Sequence, residues 1–560
     1  MIRFLPGLSA PAGYRRAWLR GDLLAGITVA AYLVPQVMAY ATVAGLPPVA
    51  GLWAALAPPA LYAVLGSSRQ LSVGPESTTA LMTAAAIAPL AAGDPGRHAA
   101  QAAALAVLVG LLGLGCRMLR LGFVADLLSK PILVGYLAGV ATLMIVSQLG
   151  KLTGTPVTGD SLAGQVVSFA RLLPQAHPLT VAMGAAVLAF LFLLRWRLPA
   201  VPAPLLAVVL ATAAVALLGL DARGVAVVGE IPAGLPHLSL PPLRDSLESL
   251  LLPAVGVFLV GYSDNMLTAR SFAARHHQQI DADQELLALG AANLGAGLLQ
   301  GFPVSSSGSR TALADAAGAR TQLSSLVSLA AVLAVLLAAG PLLAGLPAAA
   351  LGAIVVYAAT RLVEPAEFRR LARFRRAELL LALGALAGVL VFDILYGILL
   401  AVALSVAEML ARVARPHDAV LGLVPDLAGM HDIDDYPAAR TIPGLVVYRY
   451  DSPLFFANAQ DFHRRALAAV DHQDVPVRWF VLNAEANVEV DVTALDALDS
   501  LRGELERRGI VFAMARVKQD LRVFLDAYGL TAAVGAERIF PTLPTAVQAY
   551  EAWRRDALPG

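Results

Sequence analysis

The sequence predicts an all-α polytopic membrane domain followed by a small α/β domain, and three observations carry that reading. Of 560 residues, 58% are hydrophobic and only 14% charged, and the mean hydropathy is +0.70, more apolar surface than one water-soluble core uses. The apolar residues fall in runs near the spanning length of about 20 residues. After about residue 415 the runs give way to evenly spread charge, short strands and amphipathic helices.

The runs predict helices near 21–44, 50–66, 74–91, 99–119, 128–149, 179–194 and 199–219, then near 248–273, 284–300, 308–318, 320–340, 347–363, 378–392 and 394–413. Seven plus seven gives 14 transmembrane segments, and an odd number in each half sets the two 7-helix repeats in inverted orientation. The segment 160–175, with Gln165 and Arg171, reads as an interfacial helix. Basic residues fix the sides. Arg15, Arg16, Arg20, Arg117, Arg120, Lys130, Arg195, Arg197, Arg270, Arg275, Arg361, Arg369, Arg370, Arg373, Arg375 and Arg376 fall on one side, against Arg97, Lys151, Arg171, Arg223 and Arg244 on the other. That bias predicts cytoplasmic N- and C-termini in a cell inner (plasma) membrane. The first apolar run follows Arg20 and is long enough to span, so it is expected to stay as the first helix and not to be cleaved as a signal peptide.

The expected domains are a cytoplasmic segment 1–20, a first repeat 21–219, an extracellular linker 220–247, a second repeat 248–414, a linker 415–440 and a soluble domain 441–560. Within the last, strands are expected at 445–450, 479–482 and 510–513, and helices at 458–470, 493–508 and 517–528. The net charge of +1 carries no information about partners, because it conceals the loop asymmetry. Cys116 is the single cysteine, which excludes an internal disulfide or zinc cluster and reads as a small core residue.

Two polar breaks interrupt apolar runs at corresponding places in the halves: Leu71-Ser72-Val73-Gly74-Pro75-Glu76-Ser77 and Phe302-Pro303-Val304-Ser305-Ser306-Ser307-Gly308-Ser309-Arg310. Irregular backbone at membrane depth is tolerated only inside protein or along a wet cavity, and paired breaks point to a transporter's site. A helix starting there directs free N–H groups and about half a positive charge at whatever precedes it. Two such starts facing one another make an anion site. Gly74 permits close backbone approach, Pro75 suits an opening helical turn, and Ser305 to Ser309 offer donors beside the full charge of Arg310. The competing reading is plain helix capping, with Arg310 ion-paired to Asp315 or Asp264. Asp264 lies in an apolar run with Thr268 one turn on, so a desolvated carboxylate there can carry a coupling proton; otherwise it pairs with Asn265 or Arg270. Glu76 is the weaker proton candidate, since the start of a helix favours its charged form and it should point away from an anion. Gln36 can donate an amide hydrogen bond and Tyr40, one turn on, can wall the cavity; both also read as helix-packing residues.

VPQVMAYA at 34–41, LPPVAGLWAALAPP at 46–59, GSSRQLSVGP at 66–75, GYSDNMLTARSFA at 261–273, QELLALGAANLGAG at 284–297 and FPVSSSGSRTALADAAGARTQLS at 302–324 closely resemble the SulP (sulfate permease) family of anion transporters. VEVDVTALDALDSL at 488–501 and IVFAMARVK at 510–518 resemble that family's cytoplasmic STAS domain. The resemblance implies the uracil-permease-like fold, a core domain moving against a gate of helices 5–7 and 12–14, and a substrate between half-helices 3 and 10. It places Gln36, Tyr40, Val73, Gly74, Pro75, Ser307, Gly308, Ser309 and Arg310 around the anion. It also implies that the counterpart of Asp264, with Thr268, ligates sodium in some bicarbonate transporters, whereas many relatives carry Glu at that position. Thr493 falls where related regulators carry a phosphorylatable serine, with helix N-cap as its plainer role.

Weaker signals take plain readings. GLLGLG at 110–115 serves helix packing, His276 and His277 lack carboxylate or thiol companions for a metal, and Arg369 to Arg376 meet anionic lipid. The expectation is a secondary active transporter, not an enzyme, of a dicarboxylate, sulfate or bicarbonate, by proton symport. Alternatives are sodium symport, exchange or channel conduction, a nucleobase permease, or a membrane-anchored signalling protein. No cofactor, resident metal or nucleic acid is expected; the partners are the anion, a proton or sodium, membrane lipid and a second copy in a homodimer.

Overall fold

The computed structural model describes residues 14–557 apart from 92–93, 128, 158, 160, 199–201, 230–233, 242 and 339–342. Most of the expected segment 1–20 and the start of the helix expected at 199 therefore lie outside the described residues. The chain divides into two compact units, 1–405 and 406–560.

The first half of the first unit comprises α1 (Leu19–Val43), α2 (Pro48–Ala54), α3 (Ala57–Leu65), β1 (Val73–Gly74), α4 (Ser77–Ala91), α5 (Pro95–Met118), α6 (Lys130–Thr153), α7 (Leu162–Leu172), α8 (Pro178–Arg197) and α9 (Ala203–Leu218). The second comprises α10 (Leu243–Arg275), α11 (Ala282–Leu298), β2 (Ser305–Ser306), α12 (Gly308–Ala316), α13 (Leu323–Ala338), α14 (Ala348–Thr360), α15 (Pro365–Phe374) and α16 (Arg376–Ala414), whose residues from Val406 on fall in the second unit.

The helix expected at 50–66 is broken into α2 and α3, because Pro58 and Pro59 lie in the first turn of α3 and withhold the N–H groups that would continue the ladder. Sequence reading did not expect α15, a short helix whose buried residue is Leu371 and whose Glu367 meets Lys130 Nζ at 3.1 Å. α16 runs 39 residues, yet it folds back on itself. A Cβ on Gly397 would stand 2.7 Å from the Val389 Cα, and one on Gly388 would stand 2.8 Å from Leu400. A straight helix holds such pairs about 12–18 Å apart. These pairs centre on residues 393–394, where the sequence predicts one helix to end and the next to begin.

Small residues let the helices interlock. A Cβ on Gly110 would lie 2.7 Å from the Gly290 carbonyl oxygen, and one on Gly297 2.7 Å from that of Ala103, so α5 and α11 cross backbone to backbone. α5 also packs on α10, and α13 packs on α1. The fourth span of each half thus rests on the first of the other, as two interleaved inverted repeats require. Asp22, fully buried on α1, fixes the second of these contacts by accepting from Arg320 N at 2.7 Å, Thr321 N at 3.1 Å and Thr321 Oγ1 at 2.7 Å. Glu285 is buried too, and its carboxylate accepts from Tyr62 Oη at 2.9 Å, Ser67 N at 2.9 Å, Ser67 Oγ at 2.8 Å and Asn265 Nδ2 at 2.8 Å. Several neutral donors offset the desolvation of this carboxylate, for which no ion pair occurs among the described residues. α6, α8, α9 and α14 pack on one another, and α9 and α14 also pack on α1.

The second unit is a six-stranded sheet flanked by helices. Its strands are β3 (Asp418–Leu423), β4 (Met430–Asp432), β5 (Leu445–Tyr450), β6 (Trp479–Asn483), β7 (Val511–Ala515) and β8 (Ile539–Phe540), in the order β4-β3-β5-β6-β7-β8. β5 to β8 are parallel and β3 is antiparallel to β5. Val446, Tyr448, Phe480 and Leu482 face α17 (Ala459–Asp471) and α18 (Val492–Arg507), while Leu445, Val447, Trp479 and Val481 face α21 (Leu543–Ala557), the last helix after α19 (Gln519–Tyr528) and α20 (Leu530–Val534). Successive residues alternate between two cores, which is why these strands read as continuous apolar runs. Residues 415–440, expected as a linker, carry β3 and β4. Asp491, not Thr493, caps α18, accepting from Ala494 N at 2.8 Å, and Thr493 is exposed.

Gly51 is packed so closely that an added Cβ would lie 1.9 Å from the Val37 carbonyl oxygen. Gly51→Ala must part α1 from α2, at a cost of about 1–3 kcal/mol. Detergent-solubilised protein is expected to lose its monodisperse elution peak at a temperature several degrees lower; an unchanged profile would mean the helices separate freely.

Candidate functional site

The two breaks bind to each other. β1 and β2 form a two-stranded antiparallel ribbon with Val73 opposite Ser306 and Gly74 opposite Ser305. Ser307 N donates to Ser72 O at 2.9 Å, and Ser72 N donates to Thr311 Oγ1 at 3.0 Å. All of 71–75 and 301–307 is buried, so the irregular backbone is satisfied inside protein. Asn293 on α11 adds two more bonds: its Oδ1 accepts from Val304 N at 2.9 Å and its Nδ2 donates to Val304 O at 3.0 Å. Helices α4 and α12 then start within three residues of the ribbon, at Ser77 and Gly308.

Arg310, in the first turn of α12, is fully buried. Its Nη1 donates to Pro75 O at 2.8 Å and to Gln36 Oε1 at 3.4 Å, and its Nε donates to Ser72 Oγ at 3.4 Å. Nη2 has no hydrogen-bond partner, and a Cβ on Gly74 would stand 3.4 Å from it. The ion pairs with Asp315 or Asp264 weighed from sequence are not among the described salt bridges of Arg310. Asp315 instead meets His276 Nε2 at 2.8 Å. That corrects the expectation that His276 lacks a carboxylate companion: the partner comes from α12, 39 residues on. Among the described residues no group of three metal-ligating side chains occurs.

Gln36 Nε2 donates to Tyr40 Oη at 2.8 Å, so one amide hydrogen is turned to Tyr40 while the amide oxygen braces Arg310. Glu76 bends back onto its own helix. One carboxylate oxygen accepts from Thr78 N at 2.6 Å and the other from Ser77 Oγ, so it occupies the α4 start that the sequence reading left open to an anion. At α12, Ser307 Oγ accepts from Arg310 N at 3.4 Å and lies 3.2 Å from Ser309 Oγ. Gly308 is exposed and Ser309 half-buried, which makes α12 the start that opens to a cavity. Asp264 Oδ2 accepts from Ser306 Oγ at 3.4 Å, and Ser305 Oγ donates to Gly261 O at 2.9 Å. A Cβ on Gly308 would lie 3.9 Å from Thr268 Oγ1. Asp264 and Thr268 therefore flank the ribbon and the α12 start from α10. Sequence reading missed the roles of Ser72, Thr311 and Asn293; an asparagine within an apolar run was the available signal.

A membrane-embedded pair of helix starts around a buried guanidinium defines an electropositive site in an inverted-repeat transporter fold. Residues 19–385 match the sulfate permease family and residues 436–546 the STAS domain. The chain belongs to the sulfate permease family of anion transporters, and it is a transporter rather than an enzyme. A probable sulfate transporter of Mycobacterium tuberculosis strain CDC 1551 is 61% identical over 97% of this chain and 98% of its own length. The chloroplastic sulfate transporter 4.1 of Arabidopsis thaliana is 31% identical over 94% of this chain and 79% of its own. Among solved structures, murine solute carrier 26 family member A9 superposes with a TM-score of 0.89 at 23% identity, covering 98% of this chain and 94% of that one. The transmembrane domain of a cyanobacterium bicarbonate transporter, BicA, gives 0.61 at 25% identity over 70% of this chain and 98% of its own.

Asn293→Leu leaves both buried polar groups of Val304 unpaired, at roughly 1–3 kcal/mol each. The variant is expected to unfold at lower temperature in detergent and to lose the thermal stabilisation that added anion confers. Retention of both would show that the ribbon holds without Asn293.

Proposed function

We propose that the chain carries a small anion across the inner membrane by alternating access, as a homodimer with cytoplasmic termini. The anion is held between the starts of α4 and α12, and Asp264 carries a coupled proton. The observation that supports this most is the buried Arg310, whose Nη2 stands unpartnered beside Gly74 where the two breaks meet. A charge at that depth whose hydrogen bonds all go to neutral groups is costly unless an anion visits it. Val73, Gly74, Pro75, Ser307, Gly308 and Ser309 form the polar backbone around it, while Gln36 and Tyr40 orient the guanidinium. Glu76 caps α4 and acts on the anion only through its charge beside Arg310, not by contact. The 61% identity to a probable sulfate transporter puts sulfate ahead of bicarbonate and dicarboxylates as substrate.

Sodium coupling is the second reading, favoured by Thr268 facing the α12 start on the same side of α10 as Asp264. The STAS-like unit is read as regulatory, with transport chemistry confined to the membrane domain.

Uptake of labelled sulfate, bicarbonate and a dicarboxylate into proteoliposomes under imposed pH or sodium gradients tests this. Arg310→Ala is expected to lower uptake at least about tenfold, the scale of a lost charged hydrogen bond. Asp264→Asn is expected to abolish acceleration by an inward proton gradient while anion still stabilises the protein thermally. Uptake that keeps its pH dependence in Asp264→Asn would assign the protein to exchange or conduction.

A further inference from the structure

A cavity of about 290 Å³ reaches the candidate site from one end of the membrane unit. It is lined by Ser309 and Leu313 of α12, Tyr32 of α1, Arg195 near the end of α8, and Tyr357 and Arg361 at the end of α14. A second cavity, about 590 Å³, is lined by Thr180 of α8, Ala348 and Ala349 of α14, and Lys151 of α6. These are the opposite ends of the same two helices, about 20 Å apart along α8. Of the two, the cavity at the arginine end contains a residue of α12. At the other end Lys151 Nζ donates to Thr42 O at 3.3 Å, setting a cation against the last turn of α1 and tying α6 to it.

Arg195 and Arg361 are both exposed, and among the described residues neither side chain has an ion pair or hydrogen bond with a protein group. It is the side chains that are free, since the Arg361 backbone N–H donates to Ala358 O, and both guanidiniums leave their charge and planar donor forks to the cavity. Its other walls are mostly apolar, and such walls focus the field of like charges onto the space between them. Two forks on one rim match the oxygens of a small oxyanion.

We propose that Arg195 and Arg361 form a second, outer subsite for a small oxyanion at the cytoplasmic mouth, from which the anion passes to Ser309 and the start of α12. This rests on the reading of the chain as an anion transporter with its arginine-rich ends inside. The subsite belongs to one face of the membrane only, so it raises affinity for the anion approaching from the cytoplasm relative to the anion approaching from outside.

Labelled sulfate uptake into inside-out and right-side-out membrane vesicles reads the two faces separately. In the Arg195→Gln, Arg361→Gln double variant, the half-saturation concentration at the cytoplasmic face is expected to rise about fivefold relative to that at the outer face, the upper scale for exposed ionic contacts. Arg195→Lys with Arg361→Lys is expected to recover most of the loss, which a packing role would not allow. If the double variant fails to reach the membrane, the single glutamine variants carry the test at about twofold each. In the wild type, added inert salt should weaken binding more at the cytoplasmic face, since screening acts within about 8 Å at physiological strength. An unchanged ratio between the faces in active variants, or equal salt sensitivity at both faces, overturns the subsite and leaves the transport reading intact. Wild-type vesicles that take up no anion in either orientation overturn the transport reading itself.

Discussion

The short antiparallel pairing of Val73-Gly74 with Ser305-Ser306 is the contact on which the rest of the membrane unit depends. Non-helical backbone has no water to bond with at membrane depth, so each break needs an external partner. Here each supplies the other's. Because the partners come from opposite halves, satisfying the backbone also fixes the register of one repeat against the other. A change in either break that spoiled the ribbon would leave several buried N–H and C=O groups unpaired at once, each costly on its own.

The ribbon also makes room for a charge. Arg310 follows it by four residues, and its guanidinium is braced by the Pro75 carbonyl, the Ser72 hydroxyl and the Gln36 amide oxygen. None of these is charged; the carboxylate in the neighbourhood of Arg310 is that of Glu76, next in the chain to Pro75, and its own hydrogen bonds go to Thr78 N and Ser77 Oγ. Proline at position 75 contributes twice: it has no N–H to donate, and its carbonyl is turned to the guanidinium. Tyr40 then holds Gln36, so three side chains of the first half, Tyr40, Gln36 and Ser72, set the orientation of one cation of the second.

Much of this was legible in the sequence, for identifiable reasons. Membrane helices announce themselves by length and hydropathy, and the two breaks by being polar where lipid forbids it. The turn inside α16 was visible as a dip between apolar runs, although the chain stays helical almost throughout it. Other features were hidden because their partners are distant. The carboxylate that meets His276 comes from α12, and β3 is a six-residue strand with glycine at Gly422 whose place is set by pairing with β5. Asn293, Glu285 and Asp22 were each visible as a polar residue in an apolar helix, yet spacing along one helix does not say what lies opposite. Glu76 shows the limit most clearly: its sequence position placed it at the α4 start, but only the fold shows it taking the amide that an anion would otherwise use.

That last point bears on the asymmetry between two helix starts that the sequence treats as equivalent. At α4 a carboxylate of the chain already meets the Thr78 amide and the Ser77 hydroxyl, and at α12 an exposed glycine and a half-buried serine stand at the edge of the cavity. Two identical open starts would bind an anion symmetrically and hold it equally toward both faces. With one start capped by a carboxylate and the other only by the neutral Ser307 hydroxyl, more of the free positive potential lies on α12 and Arg310, which belong to one turn. The electropositive element is then carried by the second repeat, and the first supplies the wall it faces. Neutralising Glu76 would reopen the α4 start and also remove a negative charge from the neighbourhood of Arg310. Both effects strengthen the hold on an anion, and a carrier that grips its substrate too well releases it slowly. A capping carboxylate next to the proposed anion site is therefore consistent with turnover, which needs a site deep enough to fill and shallow enough to empty.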